Sequence, residues 1–118
     1  MALLLLVLSS VLVPGASASA ATSYDMEARY TVAVHLDWDT RWVEVRTWIA
    51  VRNTSGRSID RLELNTVAAK LGSMKELRAR ADGAALKVTK VGQTLKVPLG
   101  KDLAEGGLTN VFVGFRAR

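Results

Sequence analysis

At 118 residues with no cysteine, the chain has room for one domain and no disulfide, so packing of its own core has to hold it together. A single histidine and no thiol exclude a His-rich or thiolate zinc site within one copy. The net charge of +5 comes from sixteen Lys and Arg residues against eleven Asp and Glu, scattered in alternation along the chain, which is the pattern of a solvated surface and predicts no nucleic-acid partner.

The chain opens with MALLLLVLSSVLVP, an apolar run too short to span a bilayer comfortably, followed by GASASAA. Small residues at signal-peptidase spacing make residues 1–22 an expected signal peptide and the protein an exported one, secreted or periplasmic. Ala16-Ser17-Ala18 and Ala18-Ser19-Ala20 both fit as cleavage sites. Residues 23–118 are then the domain.

Glu27 to Asn53 organises that domain. Ala28, Tyr30, Val32, Val34 and Leu36 alternate with polar or small residues, and so do Val43, Val45, Thr47, Ile49 and Val51, the period of a strand with one buried face. Folding the chain at Trp38–Arg41 sets Leu36 against Val43, Val34 against Val45, Val32 against Thr47, Tyr30 against Ile49 and Ala28 against Val51. A slip of one residue would set Val34 against Glu44 or Arg46, so the pattern dictates the register. His35 then faces Glu44 on the outward side, as a cross-strand pair rather than a catalytic dyad.

Asn53 to Arg57 is a cluster of turn formers. It contains the glycosylation sequon Asn53-Thr54-Ser55, which reads more simply as a turn. Residues 58–65 form a third strand, with Leu62 and Leu64 on one side. The next segment has two readings. Val67, Leu71, Met74, Leu77 and Ala81 recur at helical spacing, yet Gly72-Ser73 interrupts them and Leu77, Ala79 and Ala81 alternate with Arg78 and Arg80, which favours a loop followed by a strand over 74–81. Asp82-Gly83 predicts a type I′ hairpin into a strand at 85–90. A turn at Val91-Gly92-Gln93 leads to a strand at 94–99, where Pro98 requires an edge or a strand end. Residues 101–107 read as a polar connection, and 109–117 as the last strand. About seven strands bounded by Gly, Asn and Asp turns predict an all-β fold, an antiparallel β-sandwich. Since the chain stops one residue past a strand, with no closing segment, the expectation is a truncated domain.

Catalytic residues are expected to be none, and likewise cofactor and metal ligands. Ser55, Ser58 and Ser73 have no local base, and Asp37 and Asp39, beside an exposed turn, would hold a cation weakly. Trp42 and Trp48 are the notable side chains. They fall on the face opposite the aliphatic core beside Thr31, Ala33 and Ala50, a candidate interdomain or partner face able to meet another domain, a second sheet or a sugar ring.

The order of these features, Tyr30-x-Val32-x-Val34-x-Leu36-Asp37, the strand ending in Arg52-Asn53-Thr54-Ser55, Leu62-x-Leu64, Asp82-Gly83, Leu95-x-Val97-Pro98-Leu99, Leu103-x-x-Gly106 and Val111-x-Val113-x-Phe115, resembles the N-terminal domain of the aminopeptidase N family of zinc metallopeptidases. In that family a saddle-shaped β-domain precedes a thermolysin-like catalytic domain. The resemblance implies a noncatalytic accessory domain, a fragment of a longer exported peptidase whose catalytic domain would be its partner. It implies zinc only for that missing domain, because neither the His-Glu-x-x-His helix nor the Gly-x-Met-x-Asn loop of the family has a match here. The alternative is a stand-alone exported binding or adhesion module whose partner is a glycan, a peptide or an envelope component.

Overall fold

The computed structural model describes residues 26–71 and 74–118; the expected signal peptide lies outside the described residues. The fold is all β apart from one helical turn, α1 (Ala68–Leu71). The long hairpin comprises β1 (Met26–Asp37) and β2 (Trp42–Asn53), and its register runs from Met26 opposite Asn53 to Asp37 opposite Trp42, with every pair expected from the hydrophobic pattern in place. At its tip the Asp37 carboxylate accepts the N–H groups of Asp39 and Thr40, each at 3.1 Å. Arg41 takes a positive φ of 59° to close the turn.

The rest of the chain divides between two antiparallel sheets. β3 (Ile59–Asn65), β6 (Thr89–Val91) and β7 (Thr94–Leu103) form the smaller one in the order β3-β7-β6. The larger adds β4 (Lys75–Ala81), β5 (Ala84–Leu86) and β8 (Leu108–Ala117) to the hairpin in the order β1-β2-β8-β4-β5. In the ambiguous segment the loop-then-strand reading holds, with α1 as a brief helical interlude before β4. Asp82 and Gly83 both have positive φ, 47° and 85°, as a type I′ turn requires.

Two expectations change, and the one for Pro98 is met locally. The strand expected at 85–90 is broken into β5 and β6, which belong to different sheets, so the chain crosses from one layer to the other there. Pro98 lies in the middle strand of the smaller sheet, but β6 stops opposite Lys96, leaving only β3 beside the proline; a residue without an N–H is tolerated past the end of its neighbour. β7 also runs on to Leu103, through part of the segment read as a polar connection.

Between the layers, Ile49, Val51, Ala79, Ala81, Val111 and Val113 of the large sheet meet Leu62, Leu95, Val97, Leu99 and Leu103 of the small one. This closed end is pinned by Asn53, which is completely buried. Its amide nitrogen donates to the carbonyls of Arg57 (2.7 Å) and Leu103 (2.8 Å), and its amide oxygen accepts the N–H (3.1 Å) and hydroxyl (2.7 Å) of Ser55. Its backbone is bonded to Gly106 and Gly107 as well. All four hydrogen-bonding positions of the amide are therefore used, as the turn reading of the sequon expects: a glycan would replace one of the two N–H groups of this nitrogen and break a donor bond.

Candidate functional site

The small sheet is too narrow to cover the large one. Where it stops, the inward face of β1 is left bare, with Tyr30 57% exposed, Val32 55%, Val34 64% and Leu36 41%, and Val43, Val45 and Thr47 of β2 are only half-buried. Those of β1 point the way the sequence pattern says, but nothing described lies over them. At the margin, Tyr30, Val45, Thr47, Leu64 and Phe115 line a groove of about 470 Å³. Contiguous apolar side chains of this kind mark an interaction surface rather than an ordinary solvated sheet. β1 is also an edge strand twelve residues long.

Trp42 and Trp48 lie on the opposite, outward face, as expected, but in different surroundings. Trp42 is half-buried, with the Arg116 guanidinium 5.1 Å and the Lys75 ammonium 5.6 Å from its ring centroid. A bulge brings Lys75 there. The β4–β8 register slips between Lys75 and Arg78 and Glu76 takes a φ of 53°, so Lys75 rather than Glu76 stands opposite Arg116 on the outward face. Trp48 is 45% exposed and tilts against Phe112 on β8, ring centroids 5.6 Å apart.

Charge on this face is largely paired. Glu44 accepts Arg46 at 2.9 Å and Arg78 at 3.4 Å, and the Arg46 bond foremost holds its carboxyl below the usual range. His35 is opposite Glu44 in the register, but the carboxylate turns to the two arginines and the expected His35–Glu44 pair does not form among the described residues. Asp82 accepts the Asn110 N–H and the Thr109 hydroxyl at 3.1 Å and Lys101 at 3.4 Å. The Asn110 bond is the main reason its carboxyl is also held low.

What the described residues present to solvent is an apolar face on β1 and an aromatic, charged face on its other side. Among the described residues no three His, Cys, Asp or Glu side chains converge. Asp37 spends a carboxylate oxygen on its own turn, and hydrogen bonds from Thr40 and Asp39 lower its pKa.

No protein-family model and no curated protein matches the chain. Solved structures do. A two-domain M1 zinc metallopeptidase variant bound to L-tryptophan superposes with a TM-score of 0.62 over 79% of this chain at 14% identity. An M1 zinc metallopeptidase from Deinococcus radiodurans matches with a TM-score of 0.53 over 64% of the chain at 16% identity, and so does its variant bound to a Tyr-Ser-Ala substrate. The matched part is 20% of the first protein and 16% of the others, so this chain has the fold of about a fifth or less of an M1 zinc metallopeptidase.

Proposed function

We propose that this domain is a noncatalytic accessory β-domain of an exported zinc metallopeptidase, and that the bare apolar face of β1, at the edge of its large sheet, rests against the catalytic part of the parent protein. The observation that carries the reading is the combination of an M1-like fold with an apolar face left without cover on β1. Inter-domain interfaces bury such faces, and this one joins the groove at the sandwich margin. The part played by the chain is to supply surface, and it contributes no group that touches a substrate bond.

The interdomain role expected for the Trp42 and Trp48 face passes in this reading to Tyr30, Val32, Val34 and Leu36. Trp42 already has two cations against it, whereas the four residues of β1 have nothing above them among the described residues.

The reading frame of the parent gene past Arg118 tests the proposal. A His-Glu-x-x-His helix downstream is expected, and in the assembled protein Tyr30 and Val34 should be protected from solvent. A stop codon in intact genomic DNA would overturn the accessory-domain reading. So would chelator-sensitive release of amino acids by the purified 118-residue product, shown free of contaminating peptidase, because the chemistry would then reside in this chain.

A further inference from the structure

On the outward face of the large sheet, cross-strand register lays side chains in rows. One row runs Thr31, Trp48, Phe112, Arg80, and the next runs Arg29, Ala50, Asn110, ending at Asp82, whose backbone and carboxylate both bond to Asn110. Two rings in one row beside small side chains in the next leave a groove of about 570 Å³, lined by both Arg29 and Arg80. The two arginines stand on β1 and β4, with β2 and β8 between them, which is three strand spacings or about 14 Å.

What distinguishes the groove is which of its groups remain free. Arg46 and Arg78 are tied to Glu44, and Arg116 to Glu76. Arg116 and Lys75 cover Trp42. Asp82, the acid of the groove, is taken by Thr109, Asn110 and Lys101. Among the described residues Arg29 and Arg80 have no ion-pair or hydrogen-bond partner, and the Trp48 ring between them is open.

We infer that this groove binds an acidic oligosaccharide. One sugar ring lies on Trp48, and carboxylate or sulfate groups are held by Arg29 and Arg80. An indole offers a broad apolar surface with little conformational entropy to lose, which suits the C–H face of a pyranose. Thr31 and Asn110 are there to bond its hydroxyls, and guanidinium forks match planar oxyanions. A single-stranded nucleic acid needs a continuous track of free cations and several open rings. Here Arg46 and Arg78 in the neighbouring row share Glu44 and Trp42 is covered, so two spaced charges and one ring are what the groove recognises. It lies on the opposite face of the sheet from the bare apolar residues of β1, so this inference and the accessory-domain reading stand or fall separately.

The test is an NMR titration of the whole chain that follows the indole N–H of Trp48, assigned with Trp48→Phe. The probes are trigalacturonate, a heparin-derived sulfated tetrasaccharide, the neutral methyl ester of trigalacturonate and oligothymidylate. Trigalacturonate or the sulfated sugar should shift the Trp48 signal saturably, and whichever binds more tightly identifies the acid group. Affinity should fall as salt rises and drop about tenfold in Arg29→Gln or Arg80→Gln, as loss of one charge-assisted contact implies. Arg61→Gln, which removes an equal charge from the other sheet, should leave it unchanged. Urea midpoints of all variants guard against misfolding. No saturable shift with either acidic sugar, equal affinity for the neutral ester, tighter binding of oligothymidylate, or affinity indifferent to Arg29 and Arg80 would each overturn the inference.

Discussion

The two strands of the β1–β2 hairpin carry the same alternation of apolar and polar residues and meet opposite fates. On β2 Ile49 and Val51 are 1% and 2% exposed under β3 and β7, while on β1 Val34 and Val32 stand 64% and 55% exposed with nothing described above them. The two strands are paired with each other along their whole length; β2 also has β8 beside it and a second layer over part of its inward face, whereas β1 is the edge of the sheet. A hydrophobic period states which way a side chain points, and burial depends in addition on what else in the fold reaches that spot.

Substitutions can break this comparison. The largest effect is expected at Ile49, where truncation to Ala should cost about 2 to 5 kcal/mol in urea or thermal unfolding, since it empties a closed site. Asn53→Ala should cost about 1 to 3 kcal/mol by leaving the carbonyls of Arg57 and Leu103 and the N–H of Ser55 without their partner. Rescue by Asp in place of Asn53 should fail, because a carboxylate offers no donor to those carbonyls.

Acid should loosen the closed end next. Asp82 has a folded-state pKa below its ordinary value, chiefly because of the Asn110 N–H. As pH falls, the unfolded chain takes up this proton first, so the contribution of Asp82 is full above about pH 5 and is lost as pH drops through the folded-state value. Urea midpoints measured from neutral pH downward should fall in that window, and Asp82→Asn should flatten part of the slope. Asp37 and Glu44 are shifted in the same direction and account for further slope.

The smallest effect is expected on β1. Val34→Ala should change the stability of this chain by no more than about 0.5 kcal/mol, because the side chain is already in water. A loss matching that of Ile49→Ala would show the face to be covered in solution. In the parent protein the same substitution should cost more than in the isolated chain, and equal costs in both would remove β1 from the interdomain surface.

Much of this was legible in the residues. The hairpin register, the type I′ turn at Asp82-Gly83, the sandwich class and the outward placement of Trp42 and Trp48 follow from period, turn chemistry and strand alternation over a few neighbouring positions. The candidate site was half legible: the tryptophans were found, but their companions were not. Arg29, Arg80 and Phe112 look scattered along the chain and become a set only when β1, β4 and β8 join one sheet. Lys75 reaches Trp42 through a bulge at Glu76 that no local signal announces, since Glu has no preference for positive φ.

The sequence by itself determined the direction of each strand's apolar face and the pairing within hairpins, because those depend on residue chemistry and on contacts between near neighbours. Tertiary structure alone decided that β8 sits between β2 and β4, that Asn53 is the buried pin of the closed end, and that the small sheet covers the middle of the large sheet and leaves β1 bare. Those outcomes come from pairing strands distant in sequence and from the relative widths of two layers. No local pattern encodes that width, so the same alternating residues became core at Ile49 and open surface at Val34.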